Sequence, residues 1–313
     1  MKLNVGGQAV IEGVMMKSPH YYSVAVRKPS DEITTKSWRY VSLTERFKIL
    51  GIPFLRGIIS MWEMLRLGIK SLTYSANEST DEEEETLSEW AIFITITLSM
   101  GLAILLFVVL PYMIPKFLGV SEEDNTLFFN LVVGLFKIFI FIGYVLIISL
   151  MEDIRRVFQN HGAEHMAVNC YENGKKLTIK NVKKYATYHP RCGTSFIVIV
   201  LLIMILVFSL IPSLVGAVFP GIDSLGSIAK TFIFLLVRIM FIPLVAGISY
   251  EILKISAKYR DNIITKIIAV PGKLVQGLTT KYPDDKQIEV AISALKEVLS
   301  KETARKSSGA ADN

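Results

Sequence analysis

Leu127-Phe-Phe-Asn-Leu-Val-Val-Gly-Leu-Phe-Lys-Ile-Phe-Ile-Phe-Ile-Gly-Tyr-Val-Leu-Ile-Ile-Ser-Leu150 decides the fold. Its one charged residue is Lys137. About 20 consecutive apolar residues are enough for a helix to cross the hydrocarbon of a bilayer. A helix also satisfies all its backbone polar groups internally, which lipid demands. Working outward, three further stretches have the same character: Trp90 to Ile114, Phe196 to Phe219 and Ala229 to Tyr250. Hydrophobic residues make up 51% of the 313 positions, and the mean hydropathy is +0.45. The chain is therefore read as a mainly α, polytopic membrane protein with four transmembrane helices. A small N-terminal β-rich cytoplasmic piece and a cytoplasmic helical loop and tail complete it.

The charges orient these spans. The loop around Lys116 to Asn125 is short and acidic, and Pro220 to Ser227 carries no Lys or Arg. The central loop holds Arg155, Arg156, Lys175, Lys176, Lys180, Lys183, Lys184 and Arg191, and both ends of the chain are also basic. The positive-inside rule then places the central loop and both termini in the cytoplasm of a bacterial cell, with the protein multi-pass in the plasma membrane. The net charge of +6 is spread over these segments. It forms no compact basic stripe interleaved with aromatics, so no nucleic-acid partner is expected. Two cysteines supply no disulfide framework, and the N-terminus lacks the apolar core of a signal peptide.

Six segments follow. Residues 1–45 form a glycine-rich β-hairpin segment, in which Tyr21 to Arg27 and Ile33 to Val41 read as strands around the turn Pro29-Ser-Asp-Glu32. Residues 46–89 hold an amphipathic helix, Phe47 to Tyr74, and an acidic linker, Ser79 to Glu85. That helix suits a membrane surface, or packing on the hairpin. Residues 90–150 are the first two spans, 151–195 a His/Cys loop and 196–250 the last two spans. Residues 251–313 are a soluble helical tail, in which Pro283-Asp-Asp-Lys-Gln-Ile-Glu289 opens a helix with acidic residues in its first turn. Lys301 to Asn313 is expected to be a disordered end.

The chemistry concentrates in the loop. His161-Gly-Ala-Glu-His165 puts two of only four histidines one helical turn apart, with Glu164 beside them. The letters match H-x-x-E-H, in which both histidines bind zinc and the glutamate activates water. The second span is expected to run on as a helix from Met151 to Tyr171, stopped by Asn173-Gly174, with Thr178 capping a short helix, Ile179 to Thr187. His189-Pro-Arg-Cys192 follows at the start of the third span. Imidazole and thiolate suit a divalent metal, zinc foremost, so His161, His165, His189 and Cys192 are the candidate ligands. Cys192, near a helix N-terminus, is expected to have a lowered pKa. Glu164 is the candidate general base or a further ligand. Gln8 and Glu12, from the glycine-rich segment, are candidates to close over the site, and Glu172 is a weaker carboxylate candidate. Gly162 counts against a regular helix here. Lys137 and Arg238 sit mid-span with no acidic residue in any span to pair with, so an anionic substrate or lipid headgroup is expected between the helices.

Gly6-Gly-Gln-Ala-Val-Ile-Glu-Gly-Val-Met-Met-Lys-Ser-Pro19, His161-Gly-Ala-Glu-His165, Asn169-Cys-Tyr-Glu172, His189-Pro-Arg-Cys-Gly-Thr-Ser-Phe196 and Pro283-Asp-Asp-Lys-Gln-Ile-Glu-Val-Ala-Ile292 together resemble the YqhQ-like family of bacterial membrane proteins. The resemblance covers nearly the whole chain. It implies the same architecture and the description that family carries, a predicted metal-dependent enzyme of unknown function.

Three functions fit these residues. One is a metal-dependent enzyme, hydrolase or group transferase, acting on a lipid-linked or anionic substrate at the cytoplasmic surface. Another is a non-catalytic scaffold or assembly factor for a protein partner, its loop stapled by a structural metal. The third is a small transporter or lipid-handling protein with Lys137 and Arg238 along the path. Four protein ligands would make the metal structural, whereas a catalytic site keeps one position open.

Overall fold

The glycine-rich N-terminal segment builds more than a hairpin. In a computed structural model that describes residues 3–80, 88–120, 122, 125–259 and 262–308, it forms a four-stranded antiparallel meander of β1 (Gly6–Val10), β2 (Gly13–Lys17), β3 (Tyr21–Arg27) and β4 (Ile33–Arg39). Alternation along the strands gives the sheet two buried faces. Val14, Met16 and Ala25 form one of them. Met15, Tyr22, Val24 and Val26 form the other.

Helices cover both faces. After α1 (Leu43–Arg46), α2 (Leu55–Glu78) lays Leu67 on the Met15 face. The other half of α2 packs on a membrane helix, and the Leu67 end takes up the packing on the hairpin that the sequence allowed. Gly57 makes that approach, since a Cβ there would lie 2.9 Å from Tyr250 and 3.1 Å from the Gly247 backbone. Arg56 locks the crossing through Glu251, with Nε 2.7 Å from Oε1.

The membrane part comprises α3 (Glu89–Ile104) running through a π turn into α4 (Leu110–Phe117), then α5 (Thr126–Ile148). After the loop come α8 (Gly193–Ser209) with α9 (Ile211–Val218), and α10 (Ser227–Lys258). Among the described residues, four helical stretches are long and apolar enough to cross a bilayer: Trp90–Phe117, Thr126–Ile148, Gly193–Val218 and Ser227–Ser256. Their outward side chains, such as Phe93, Phe139, Leu206 and Met240, are large, apolar and exposed, as a lipid-facing surface requires.

The expectation that Arg238 lacks an acidic partner does not hold. Glu122, from the loop joining the first two spans, reaches the guanidinium, with Oε1 2.6 Å from Nη2. Tyr112 donates to the same carboxylate at 2.8 Å, and Asn130 Oδ1 accepts from Arg238 at 3.2 Å. Lys137 is buried against Met204 and the Phe208 ring, with Nζ 4.6 Å from the ring centroid. Arg238 is thus committed to an internal ion pair rather than presented to a substrate.

Beyond the membrane helices, α6 (Glu152–Glu172) and α12 (Asp285–Ser307) bury the second face of the sheet in one core with Met166, Ala167, Ile288, Ala291 and Leu295. Several boundaries differ from the sequence reading, the amphipathic helix among them, which starts at Leu55 rather than Phe47 and runs past Tyr74 to Glu78. α6 does not continue α5, because Met151 has extended backbone (φ −73, ψ 132) and turns the chain. The short helix α7 covers only Ile179–Val182, capped by Thr178 as expected. The carbonyls of Ala186, Thr187 and Tyr188 are turned toward α6 side chains instead of closing further helical turns. The tail is ordered through Ser307, since α12 has a capping box at Asp284 and buries Glu302, which accepts from Ser18 Oγ at 2.8 Å and His20 N–H at 2.7 Å. Residues 309–313 and most of the acidic linker (81–87) lie outside the described residues. Between α10 and α12 stands a helix the sequence reading lacked, α11 (Ile263–Thr279).

Candidate metal centre

α6 carries His161, Glu164 and His165. Gly162, which argued against a helix, is what lets this helix lie where it does. A Cβ there would sit 2.0 Å from the Lys281 carbonyl oxygen, and Lys281 N–H in turn donates to Phe158 O at 2.9 Å. The chain after α11 therefore runs directly against the turn that carries His161 and His165.

That contact fixes the imidazoles. His161 Nδ1 is 3.0 Å from Thr279 O, and His165 Nδ1 is 2.5 Å from Thr187 O. A carbonyl only accepts, so each Nδ1 carries the proton and each Nε2 presents a lone pair. This outer bond is the one that metal-binding histidines make. Burial lowers the His161 pKa. It also takes His165 down to about 2, helped by the neighbouring His161. Both shifts favour the neutral ring, the form that donates to a metal.

Cys192 completes the group. It is the N-cap of α8, with Sγ accepting from Thr194 N–H at 3.4 Å, and it lies 3.3 Å from His161 Nε2. The donor atoms of His161, His165 and Cys192 all lie within 4.8 Å of one another. Tetrahedral zinc with N and S ligands separates them by about 3.3–3.7 Å, so a small inward shift is enough to hold an ion. The expected lowering of the Cys192 pKa is reversed, because burial outweighs the helix terminus and raises the thiol to about 11.

Glu164 is buried beside them, with Oε2 3.4 Å from His165 Nε2. Burial raises its pKa to about 8, opposed by a hydrogen bond from Gly7 N–H. Gly7 is the close approach that the glycine-rich segment suggested, since a Cβ there would be 2.9 Å from Glu164 Cγ. The opening strand is thus pressed against the carboxyl group by its backbone.

The remaining sequence-derived candidates go elsewhere. Gln8 pairs with Met15, so its side chain lies on the opposite face from Gly7, over Gly68 of α2. Glu12 is engaged by both Arg156 Nε and Nη2, at 2.5 Å each. Neither closes over the cluster. His189 stands next to His165, ring centroids 5.8 Å apart, but uses its nitrogens differently. Its Nδ1 accepts from Arg191 N–H at 3.3 Å, and its Nε2 faces Glu172 at 3.4 Å. Glu172 also binds Arg191. His189 thus has no lone pair aimed at the cluster.

Several positioning residues went unread in the sequence. Gln276 of α11 grips His189, accepting from its N–H at 3.0 Å and donating to its carbonyl at 3.1 Å and to Ser195 Oγ at 3.0 Å. Asn169 donates to the carbonyls of Ala186 and Tyr188, holding the segment that supplies Thr187. Gln276 is a buried amide in a largely aliphatic helix, and that was the available signal.

A family model described as "Protein of unknown function (DUF1385)" matches residues 52–301. The "Uncharacterized protein YqhQ" of Bacillus subtilis (strain 168) is 33% identical over 309 residues, covering 94% of this chain and 92% of that protein. No solved structure matches the chain.

Proposed function

The chain belongs to the DUF1385 family, and from the geometry of its His/Cys cluster we propose that it is a metal-dependent membrane enzyme. The reaction class is hydrolysis or group transfer on a lipid-linked or anionic substrate. The site faces the cytoplasm at the surface of a bacterial cell membrane, with both termini on the same side, on the distribution of Lys and Arg.

One observation carries the reading: His161 and His165 are held in the Nε2-free tautomer beside Cys192, while His189 is turned to Glu172. Three protein donors are the number that catalytic zinc sites use, and four the number of structural ones. His161 Nε2, His165 Nε2 and Cys192 Sγ would hold the ion, zinc suiting this donor set best. When bound, the metal supplies Lewis-acid charge for attack on a carbonyl or phosphoryl group. Glu164, buried and with its pKa near neutrality, receives the proton of the attacking water and returns it to the leaving group. His161, the most exposed of the three donors, marks the open side through which substrate arrives. Arg238 holds the spans together through Glu122, and no substrate role is proposed for it or for Lys137.

The test is metal analysis of purified wild type beside His161→Ala, His165→Ala and Glu164→Gln, combined with mass spectrometry of co-purifying lipids. Stoichiometric zinc in wild type, its loss in both histidine variants, and zinc retention with an accumulated lipid species in Glu164→Gln are expected. Wild type without stoichiometric metal overturns the metal reading. Metal present, with unchanged lipids in Glu164→Gln, removes catalysis and leaves a structural staple.

A further inference from the structure

Helix α11 has its faces the wrong way round for water. Ile263, Ile267, Val270 and Leu274 are 68%, 63%, 52% and 71% exposed. At about 100° per residue these four project within about 60° of one another. The opposite face, with Thr265, Gln276 and Thr279, is buried. Gly272 also lies on it and packs so tightly on α8 that a Cβ would come 2.4 Å from Ser195 Oγ. A surface helix in water directs its apolar stripe inward and its polar side chains outward. Among the described residues the polar Thr265, Gln276 and Thr279 are packed beside Val275, and the four large side chains of the free stripe are aliphatic. Lys266 and Lys273 project about 80° to one side of the stripe, where long cationic side chains reach headgroups.

The geometry points to α11 as an in-plane membrane helix, its Ile263–Leu274 stripe sunk in the acyl chains of the leaflet next to the candidate site. The occupant is lipid rather than a protein partner because the stripe continues an existing lipid surface. α11 packs along α8, whose Ile197, Leu202 and Leu206 are exposed apolar residues of a membrane-crossing helix. The flanking lysines complement anionic headgroups.

The consequence concerns the site directly. The inner side of α11 supplies Gln276 to His189, and its last residue supplies the carbonyl that orients His161. A helix seated in lipid therefore holds two walls of the centre, which puts the centre at the boundary between acyl chains and headgroups. This inference rests on the membrane architecture and not on the metal reading.

Full-length protein in mixed phosphatidylcholine/phosphatidylglycerol vesicles tests it, with nitroxide labels on Ile267→Cys and Leu274→Cys and, as a solvent reference, Glu289→Cys on α12. Both native cysteines are buried, and unsubstituted protein gives the labelling background. The ratio of collisions with oxygen to collisions with a water-soluble nickel chelate should be severalfold higher at 267 and 274 than at 289, and unchanged by prior chelator treatment. Nickel collisions equal to those at 289 place the stripe in water and overturn the proposal. Suppression of both reagents means that protein, a second copy included, covers it, and that also overturns it. Ile263→Cys, on the same stripe, substitutes for either variant that fails to fold.

Discussion

Raising the pH should tighten metal binding, and Cys192 should account for most of the slope. Burial lowers the pKa of both imidazoles, which favours their neutral form. The Cys192 thiol, raised to about 11, must give one up before it coordinates, at a cost of about 5 kcal/mol at pH 7. Between pH 6 and 8 the apparent affinity should therefore rise about tenfold per pH unit from this residue alone. Glu164, with a pKa of about 8, sheds a second proton over the same range as a nearby cation favours its carboxylate, so the wild-type slope lies between one and two. Competition against a chromophoric chelator at several pH values measures it. Cys192→Ser removes the thiol while keeping a side chain that can cap α8, and should lower the slope by about one. Glu164→Gln should remove what remains above one. A slope that Cys192→Ser leaves unchanged refutes Cys192 as a ligand, because the thiol proton is then not released on binding and only the Glu164 proton remains to account for the slope.

Other substitutions probe the frame around the site. Gly162→Ala drives a methyl into the Lys281 carbonyl. It should cost about 1–3 kcal/mol by overpacking and weaken metal binding, whereas Gly143→Ala, with nothing within 4 Å, should leave thermal unfolding in detergent unchanged. Arg238→Met strands the buried Glu122 and should destabilise by about 3–5 kcal/mol, with most of that recovered in the double variant with Glu122→Gln, as read by denaturant unfolding in micelles. Gln276→Ala removes three hydrogen bonds from the His189–Ser195 segment. It should lower metal affinity without lowering the proton slope, which separates a positioning residue from a ligand.

How much of this could be read beforehand depends on the range of the interaction. The four spans, the strand Tyr21–Arg27 and the start of α12 are set by local rules of apolar run length, alternation and capping, and they lie where the sequence put them. Glu122 was missed as the partner of Arg238 because it belongs to a loop 116 residues away. Helix α11 was missed because its stripe is neither long enough for a span nor arranged as in a soluble helix. The Cys192 pKa was misjudged because position at a helix terminus is visible in sequence, whereas burial is a property of the assembled fold.

Ranking the four proposed ligands needed the same non-local information. Spacing brings H-x3-H and H-x2-C together but treats every donor alike. The bonds already made by each nitrogen separate them. His161 and His165 give their Nδ1 protons to carbonyls of Thr279 and Thr187, both outside α6. His189 instead accepts a backbone N–H at Nδ1 and directs Nε2 to Glu172. Recruiting His189 as a fourth ligand would require releasing Glu172, which also holds Arg191, and turning a ring whose backbone Gln276 grips on both sides. With that route costly, the fourth donor nearest the cluster is Glu164, pressed from behind by Gly7. Structural staple and catalyst thus differ by whether one carboxyl group binds the ion or handles a proton beside it. Loss of metal in Glu164→Gln marks the carboxyl group as a ligand, whereas retention together with an accumulated lipid marks it as the proton carrier.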